Sequence, residues 1–426
     1  MRVDGVLICG DLADHGILEE LQMVADAWFR VFPGDKGLDG KPVARLFHYG
    51  DHDGGGYAHT KGFKGSGEKL MARYNLTYEE VCSHSIAANR AAVWEKCFKE
   101  KWEPIFYKRV KGYDFVLANY TSENSNQGNS TPGLAERLQG LRLDPAKPFF
   151  YSQHRVYRGT AGGLMAWGQE DGSAGEILSK YPNCLAFCGH GHLTATDERA
   201  IWQGAFSAIE VPSLAYVGLE GDHENYAVSE LRVKAGFPRQ MAPVDTHSAN
   251  QGLVMKVYAD AIRIERLDLV ENEPLGEPWQ IPLDTTKRPY EPNARRQRAV
   301  APQFPKGAEA KVFINPANEK LTVTFPIANP TATTPRAYDY EVVAIAHRIG
   351  LEASVVKHQV FSPKIYAPVS KDTGMARCVF GLAEFPNAAR KTKREYRAVV
   401  WPRDAFGLRG EPLVSEFVPP PAEREK

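Results

Sequence analysis

No run in this sequence approaches the roughly 18 consecutive apolar residues that a membrane-spanning helix needs. No transmembrane helix is therefore expected. Charge of one sign is also missing in excess: Lys+Arg and Asp+Glu both number 52, so the formal net charge is zero. That balance argues against a nucleic-acid-binding surface as the main purpose, although a local basic patch would leave the sum unchanged. The six cysteines, Cys9, Cys82, Cys97, Cys184, Cys188 and Cys378, contain no C-x-x-C pair. Isolated buried thiols are expected in place of disulfides or a zinc knuckle, and the redox compartment stays undecided. No secretory leader is expected, because Arg2 and Asp4 lead directly into the first apolar run. Internal repeats and low-complexity tracts are lacking too.

What is present is an ordinary globular composition, 43% apolar and 24% charged, in a chain long enough for one large core or two. Residues 1–270 alternate short apolar runs with helical stretches, the mark of an α/β layered domain. The strand candidates are GVLICG, ARLFHYG, YDFVLAN, PFFYSQH, CLAFCGH and AFSAIEV. Helical spacing predicts a helix over 16–32, with Leu18, Leu21, Val24, Ala25 and Trp28 on one face. A second long helix is expected over 77–102, with Thr77 as N-cap before Glu80, and a shorter one over 134–143. Residues 253–269 predict a hairpin turning at Ala259-Asp260.

Proline spacing and the basic trio Arg295, Arg296 and Arg298 mark 271–307 as an extended, solvated linker. Residues 308–426 alternate strands and turns, which predicts a C-terminal all-β sandwich. The stretch 396–413 resembles the last strands of a fibronectin type III module.

Four apolar runs end on metal-ligand residue types: Gly10-Asp11, 50-GDHD-53, Gln153-His154 and 189-GHGH-192. In a layered fold such strand ends converge on one rim. Aspartate and histidine are the ligands that hold borderline divalent metals. Each motif alone has a bland alternative. A single strand-end histidine is a common structural residue, and Asp11 could cap the helix that follows it. The four in succession are far harder to obtain by chance.

With these residues in view, the sequence resembles the calcineurin-like metallophosphoesterases. That family carries D-x-H, G-D-x-x-[DG], G-N-H-[DE], a lone His and G-H-x-H in order. Here 10-GDLAD-14, 50-GDHD-53, His154 and 189-GHGH-192 match the last four, within residues 5–220. The resemblance implies an α+β four-layer sandwich, two β-sheets flanked by helices, with a dinuclear centre of Mn, Fe or Zn at the strand ends. It implies that Asp11 bridges two ions, that Asp51, His154 and His190 complete one, and that His192 serves the other. His52 would protonate the leaving group, Asp53 would hold the His52 ring, and Asp14 would order the turn after Asp11.

Two departures shape the expectation. Asp51 stands where the family has Asn, so it adds negative charge and cannot donate to a phosphate. The D-x-H element is expected on a strand ahead of Asp11, where only ten residues stand, so one of the two ion sites is expected to be weakened. Neither Asp222-His223 nor Asp245-Thr246-His247 replaces it convincingly, and His59 and His84 are expected outside the ligand set.

The implied function is hydrolysis of a small phosphoester, diester or monoester, without a nucleic-acid partner or a membrane span. The alternative is a catalytically silent relative that binds metal or a partner protein. The segment 53–69, with His59, Lys61, Lys64 and Lys69, reads either as an anionic-substrate lip or as a solvated loop. Relatives of this layout are expected in the periplasm or outside the cell. Oligomeric state is not read from the residues.

Overall fold

The first apolar run forms β1 (Gly5–Cys9), which pairs in parallel with β2 (Ala44–His48), Cys9 standing opposite His48. A continuous apolar run suits a strand covered on both faces. The structure, a computed structural model, describes residues 2–54, 66–121, 133–162, 168–219, 234, 249–315, 317–347, 353–371, 374–385 and 394–419. Among these residues β1 has β2 as its single strand partner. Helix α1 (Leu18–Val31) connects the two and buries Leu18, Leu21, Ala25 and Trp28, as its spacing predicts.

After β2 come the short α2 (Asp51–Gly54), then α3 (Ser66–Tyr74), α4 (Tyr78–Ser83) and α5 (Ile86–Phe98). Thr77 and Glu80 form the expected capping box. The single helix expected over 77–102 is broken at His84-Ser85. There the His84 carbonyl accepts from Leu18 N at 2.9 Å, and Ile86 N donates to the Gly16 carbonyl at 2.8 Å. Tertiary backbone bonds thus replace the intrahelical ones, and the local pattern cannot reveal partners 70 residues away.

A six-stranded sheet follows, built from β3 (Ile105–Val110), β4 (Tyr113–Ala118), β5 (Phe149–Ser152), β6 (Cys184–Cys188), β7 (Ile201–Gln203) and β8 (Ser207–Glu210). Its order is β3-β4-β5-β6-β8-β7, parallel in the middle and antiparallel at both edges. Strand β3 was not expected, because Lys108 and Arg109 interrupt its apolar pattern. It forms a hairpin with β4 through Lys111-Gly112, both at positive φ, the geometry that matches strand twist. One core joins this sheet to β1, β2, α1 and α5, with Trp94 edge-on to Tyr49 and tilted against Phe98. A second core lies under α6 (Leu134–Gly140) and α7 (Ser173–Leu178).

The expected hairpin is β9 (Gln251–Val257) and β10 (Ala261–Asp268). The expected extended linker is corrected. Within 271–307, β11 (Glu273–Pro274) and β12 (Trp279–Pro282) pair with β10, and Trp279 and Ile281 enter the first core. Prolines sit at strand ends there, where a lost donor is cheap. Helix α8 (Pro292–Arg298) follows, capped by Glu291. The basic trio is not wholly solvated: Arg295 pairs with Glu198 at 2.8 Å.

The C-terminal region is all-β, as expected. One sheet runs β13 (Lys311–Asn315), β14 (Lys320–Pro326), β17 (Met375–Gly381), and the other β16 (Ser354–Phe361), β15 (Asp339–His347), β18 (Glu395–Arg403), β19 (Leu413–Val414). Alternate residues such as Leu321, Val323 and Phe325 meet Tyr340, Val342 and Val400 in its core. Side-chain donors tie it to the first region: Thr196 Oγ1 donates to Ile365 O, and Gln251 Nε2 to Tyr366 O at 2.6 Å. The protein is therefore a mixed α/β structure with several sheets, joined to an all-β region. All six cysteines are free, five of them buried. Among the described residues no helix is long and apolar enough to cross a membrane.

Candidate metal centre

Because β1 and β2 are parallel and in register, Gly10-Asp11 and Gly50-Asp51 leave the same end of the same sheet. The glycines permit the two turns to touch. Gly10 has φ 86°, and a Cβ there would stand 2.6 Å from His154 Nδ1. A Cβ on Gly50 would run into the Asp11 carboxylate. His154 follows β5 and His190 follows β6, neighbouring parallel strands that also end together. Ligand atoms of Asp11, Asp51, His154 and His190 all lie within 4.8 Å of one another, and this group could hold a metal ion. Asp11 and His190 take the left-handed backbone conformation, at φ 52° and 69°. For non-glycine residues that costs about 1 kcal/mol each, a strain typical of functional sites.

Charge in this group is concentrated. Asp51 Oδ1 lies 2.9 Å from His154 Nε2 and 3.2 Å from His190 Nδ1, and Asp11 Oδ2 lies 3.2 Å from His154 Nε2. Burial opposes charge on all of them. The imidazole hydrogen bonds still hold Asp51 well below the usual carboxylate range, and His154 holds Asp11 down. Burial would lower His154, yet the Asp11 and Asp51 carboxylates outweigh it and raise that ring well above its ordinary value. Burial and the neighbouring His154 lower His190, against the pull of Asp51. Two carboxylates in a buried site demand a cation, either a proton on His154 or a metal. The His154 tautomer suits the metal. Its Nδ1–H donates to the Cys9 carbonyl at 2.7 Å, which turns the Nε2 lone pair toward the carboxylates. Two oxygen and two nitrogen donors fit a borderline divalent ion.

The scaffold beneath is locked by side chains. His48 Nε2 lies 2.8 Å from Ser152 Oγ, which lies 3.4 Å from Cys9 Sγ. These contacts join β2, β5 and β1 directly below the ligands. Burial pushes His48 down to about 3, so it serves as a neutral spacer.

No family model matches the chain, and no curated protein matches it significantly. The roles expected of the remaining residues rest on this geometry. His52 lies at the rim, 40% exposed, with its backbone N–H donating to Asp11 Oδ1 at 3.0 Å. Asp53 does not hold the His52 ring, which is a correction. Its carboxylate accepts from Leu12 N, Ala13 N and Gly50 N at 3.1, 2.7 and 2.7 Å. Burial first, then the Asp11 charge, push Asp53 up to about 7 against those three donors. The residue that orients His52 is Asp14, whose carbonyl accepts from His52 Nδ1 at 2.6 Å. Asp14 and Asp53 have thus exchanged their expected parts, since Asp53 orders the turn after Asp11. His192 does not join the four-residue group. Its ring packs against Tyr216, 4.5 Å between centroids, and its φ is 53°.

Other residues enter or leave the picture here. His84 pairs with Glu19 at 2.6 Å, outside the ligand set as expected. Lys69 lies exposed on α3, while His59, Lys61, Lys64, Asp222, His223, Asp245 and His247 lie outside the described residues. Two neighbours were missed. Arg155 reaches Asp51 Oδ2 at 3.6 Å, and its place directly after His154 was the available signal. Glu210, fully buried at the end of β8, accepts from Leu193 N at 3.1 Å behind the GHGH turn. No pattern in the sequence marks it.

Proposed function

We propose that the chain is a metal-dependent phosphoester hydrolase of the calcineurin-like kind. The observation that carries this reading is the meeting of Asp11, Asp51, His154 and His190 at adjacent strand ends, with His52 on the rim. A divalent ion held by that group, Mn, Fe or Zn, would supply Lewis acidity toward a phosphoryl oxygen and toward the attacking water. The chain's own residues do the rest. Asp11 and Asp51 would balance the ion's charge, and the Cys9 carbonyl keeps His154 Nε2 turned toward their carboxylates. His52 hands a proton to the departing alkoxide through Nε2, since Nδ1 is committed to the Asp14 carbonyl. Burial disfavours charge on that ring, but Asp11, the Asp14 carbonyl and Asp51 raise its affinity for a proton, the state a general acid needs. The several sheets of the first region and the all-β C-terminal region are compatible with the architecture that the resemblances imply.

A second reading has its own observation. The described ligand group suits one ion, and His192 stands outside it. That favours a chain that binds one metal without turnover, or serves a partner protein. The test is hydrolysis of bis(p-nitrophenyl) phosphate and p-nitrophenyl phosphate with added Mn2+, Fe2+ or Zn2+, together with metal content per chain. Turnover lost in the His154→Ala variant supports the hydrolase. Background rates with one tightly bound ion support the silent relative.

A further inference from the structure

Arg155 follows the candidate ligand His154, and its guanidinium reaches the carboxylate that His154 and His190 hold. Its Nη2 lies 3.6 Å from Asp51 Oδ2, too long for a direct hydrogen bond, and the side chain is 22% exposed. The guanidinium lies over the Tyr120 ring, Cζ 5.8 Å from the centroid. Gln153 Nε2 donates to the Arg155 carbonyl at 3.0 Å, which fixes the backbone from which the side chain extends. Among the described residues the long ion pair to Asp51 is the one polar contact its side chain makes, and its Nε is buried without a partner.

Other buried arginines in this protein are used differently. Arg266 spends its nitrogens on Ala195 O and Glu277 O at 2.7–3.1 Å, and Arg45 on Asp35 Oδ1 and Phe98 O at 2.8 and 3.0 Å. Those are structural cations. A guanidinium has five N–H donors in a planar fork matched to phosphate oxygens, and Arg155 has committed almost none of them. Charge points the same way. Asp11 and Asp51 together would cancel the formal charge of one divalent ion, so the ligand set would add no net positive charge for an anion. Arg155 restores one positive charge beside it. Asp51 is an acceptor only, and the uncommitted N–H donors beside it are those of Arg155.

We propose that Arg155 binds the phosphoryl group at this site, donating to a nonbridging oxygen. The proposal rests on the hydrolase reading in taking a phosphoryl group as the ligand.

The test is calorimetric titration of the full chain with Mn2+, then of the Mn2+-loaded protein with inorganic phosphate. It compares wild type, Arg155→Met, which keeps an unbranched stem without the guanidinium, and Arg155→Lys. The expected result is Mn2+ affinity within about threefold in all three, phosphate affinity about tenfold or more weaker in Arg155→Met, and partial recovery in Arg155→Lys. Unchanged phosphate affinity in Arg155→Met overturns the proposal. So does a phosphate loss that only follows an equal loss of Mn2+ affinity, because Arg155 would then act through Asp51. A wild type that binds no Mn2+, or binds Mn2+ and no phosphate, overturns it too. Ester hydrolysis measured on the same samples separates the two readings. Arg155-dependent phosphate binding without turnover sinks the hydrolase and supports the proposal. Turnover with phosphate affinity indifferent to Arg155 does the reverse.

Discussion

His154 Nδ1 lies 2.7 Å from the carbonyl oxygen of Cys9, and that one hydrogen bond decides which ring nitrogen faces Asp11 and Asp51. The two carboxylates hold His154 well above its ordinary value, so the metal-free protein keeps a proton on Nε2 at neutral pH. A metal must displace that proton. Calorimetric titration of Mn2+ at pH 7 in buffers of different ionisation enthalpy should show release of about one proton per ion. Affinity should weaken about tenfold for each pH unit of acidification while His154 holds its proton. A heat of binding independent of the buffer would refute this account.

The exchange between Asp14 and Asp53 separates two variants that resemblance alone would group together. Asp53→Asn places an amide nitrogen against backbone N–H groups of Leu12, Ala13 or Gly50, leaving buried donors unmet. It should cost about 2–3 kcal/mol in urea unfolding. His52→Gln should leave stability nearly unchanged, lower the maximal hydrolysis rate by about 10²–10³-fold, and abolish the alkaline fall in rate. That fall arises because a general acid must be protonated, so rate drops as pH rises through the raised value of His52. If Asp53→Asn also removed the alkaline limb at full stability, Asp53 would be the orienting group after all.

Much of the site was legible because its determinants are local. Apolar runs ending in Gly-Asp or His mark strand ends, and glycine is required where Gly10 and Gly50 cross. The parts that sequence could not supply depend on distant partners. Asp14 and Asp53 each follow a ligand aspartate by two or three positions, and nothing in the spacing says which carboxylate meets which backbone. The helix break at Ser85 is set by Gly16 and Leu18, and the linker became sheet because β10 offers an edge to Trp279 and Ile281. Strand β3 was hidden by Lys108, whose ammonium reaches Glu100 at 2.6 Å and the Arg45 carbonyl.

Glu210 gives the protein a pH dependence unlike that of most carboxylates. Burial raises it from 4.5 to about 8, with Asp197 adding to the effect and the Leu193 N–H opposing it. The folded state therefore holds a proton that the unfolded chain has already lost. Stability from this residue is full below pH 4.5 and is lost as pH rises toward about 8, at up to about 1.4 kcal/mol per unit. Glu210→Gln keeps an oxygen for Leu193 N and cannot ionise. Its unfolding free energy relative to wild type should climb from pH 5 to pH 8 and then level. A difference that stays flat over that interval would place the Glu210 proton elsewhere.

Glu198 holds the first region, the segment after β12 and the C-terminal all-β region in one network. Its carboxylate pairs with Arg266 Nη1 and Arg295 Nη2, each at 2.8 Å. Arg295 also lies 4.7 Å from the centroid of Phe406, a residue of the C-terminal region. Arg295→Ala leaves Glu198 still paired with Arg266 and should cost about 2 kcal/mol, partly from lost stacking on Tyr290 and Phe406. Glu198→Ala removes the carboxylate that two guanidinium groups share, one of them only 1% exposed, and should cost more, about 3–5 kcal/mol. The ordering is the informative part, read from urea midpoints at constant m-value. If Arg295→Ala proved the worse of the two, the aromatic contacts rather than the shared carboxylate would be what joins the regions.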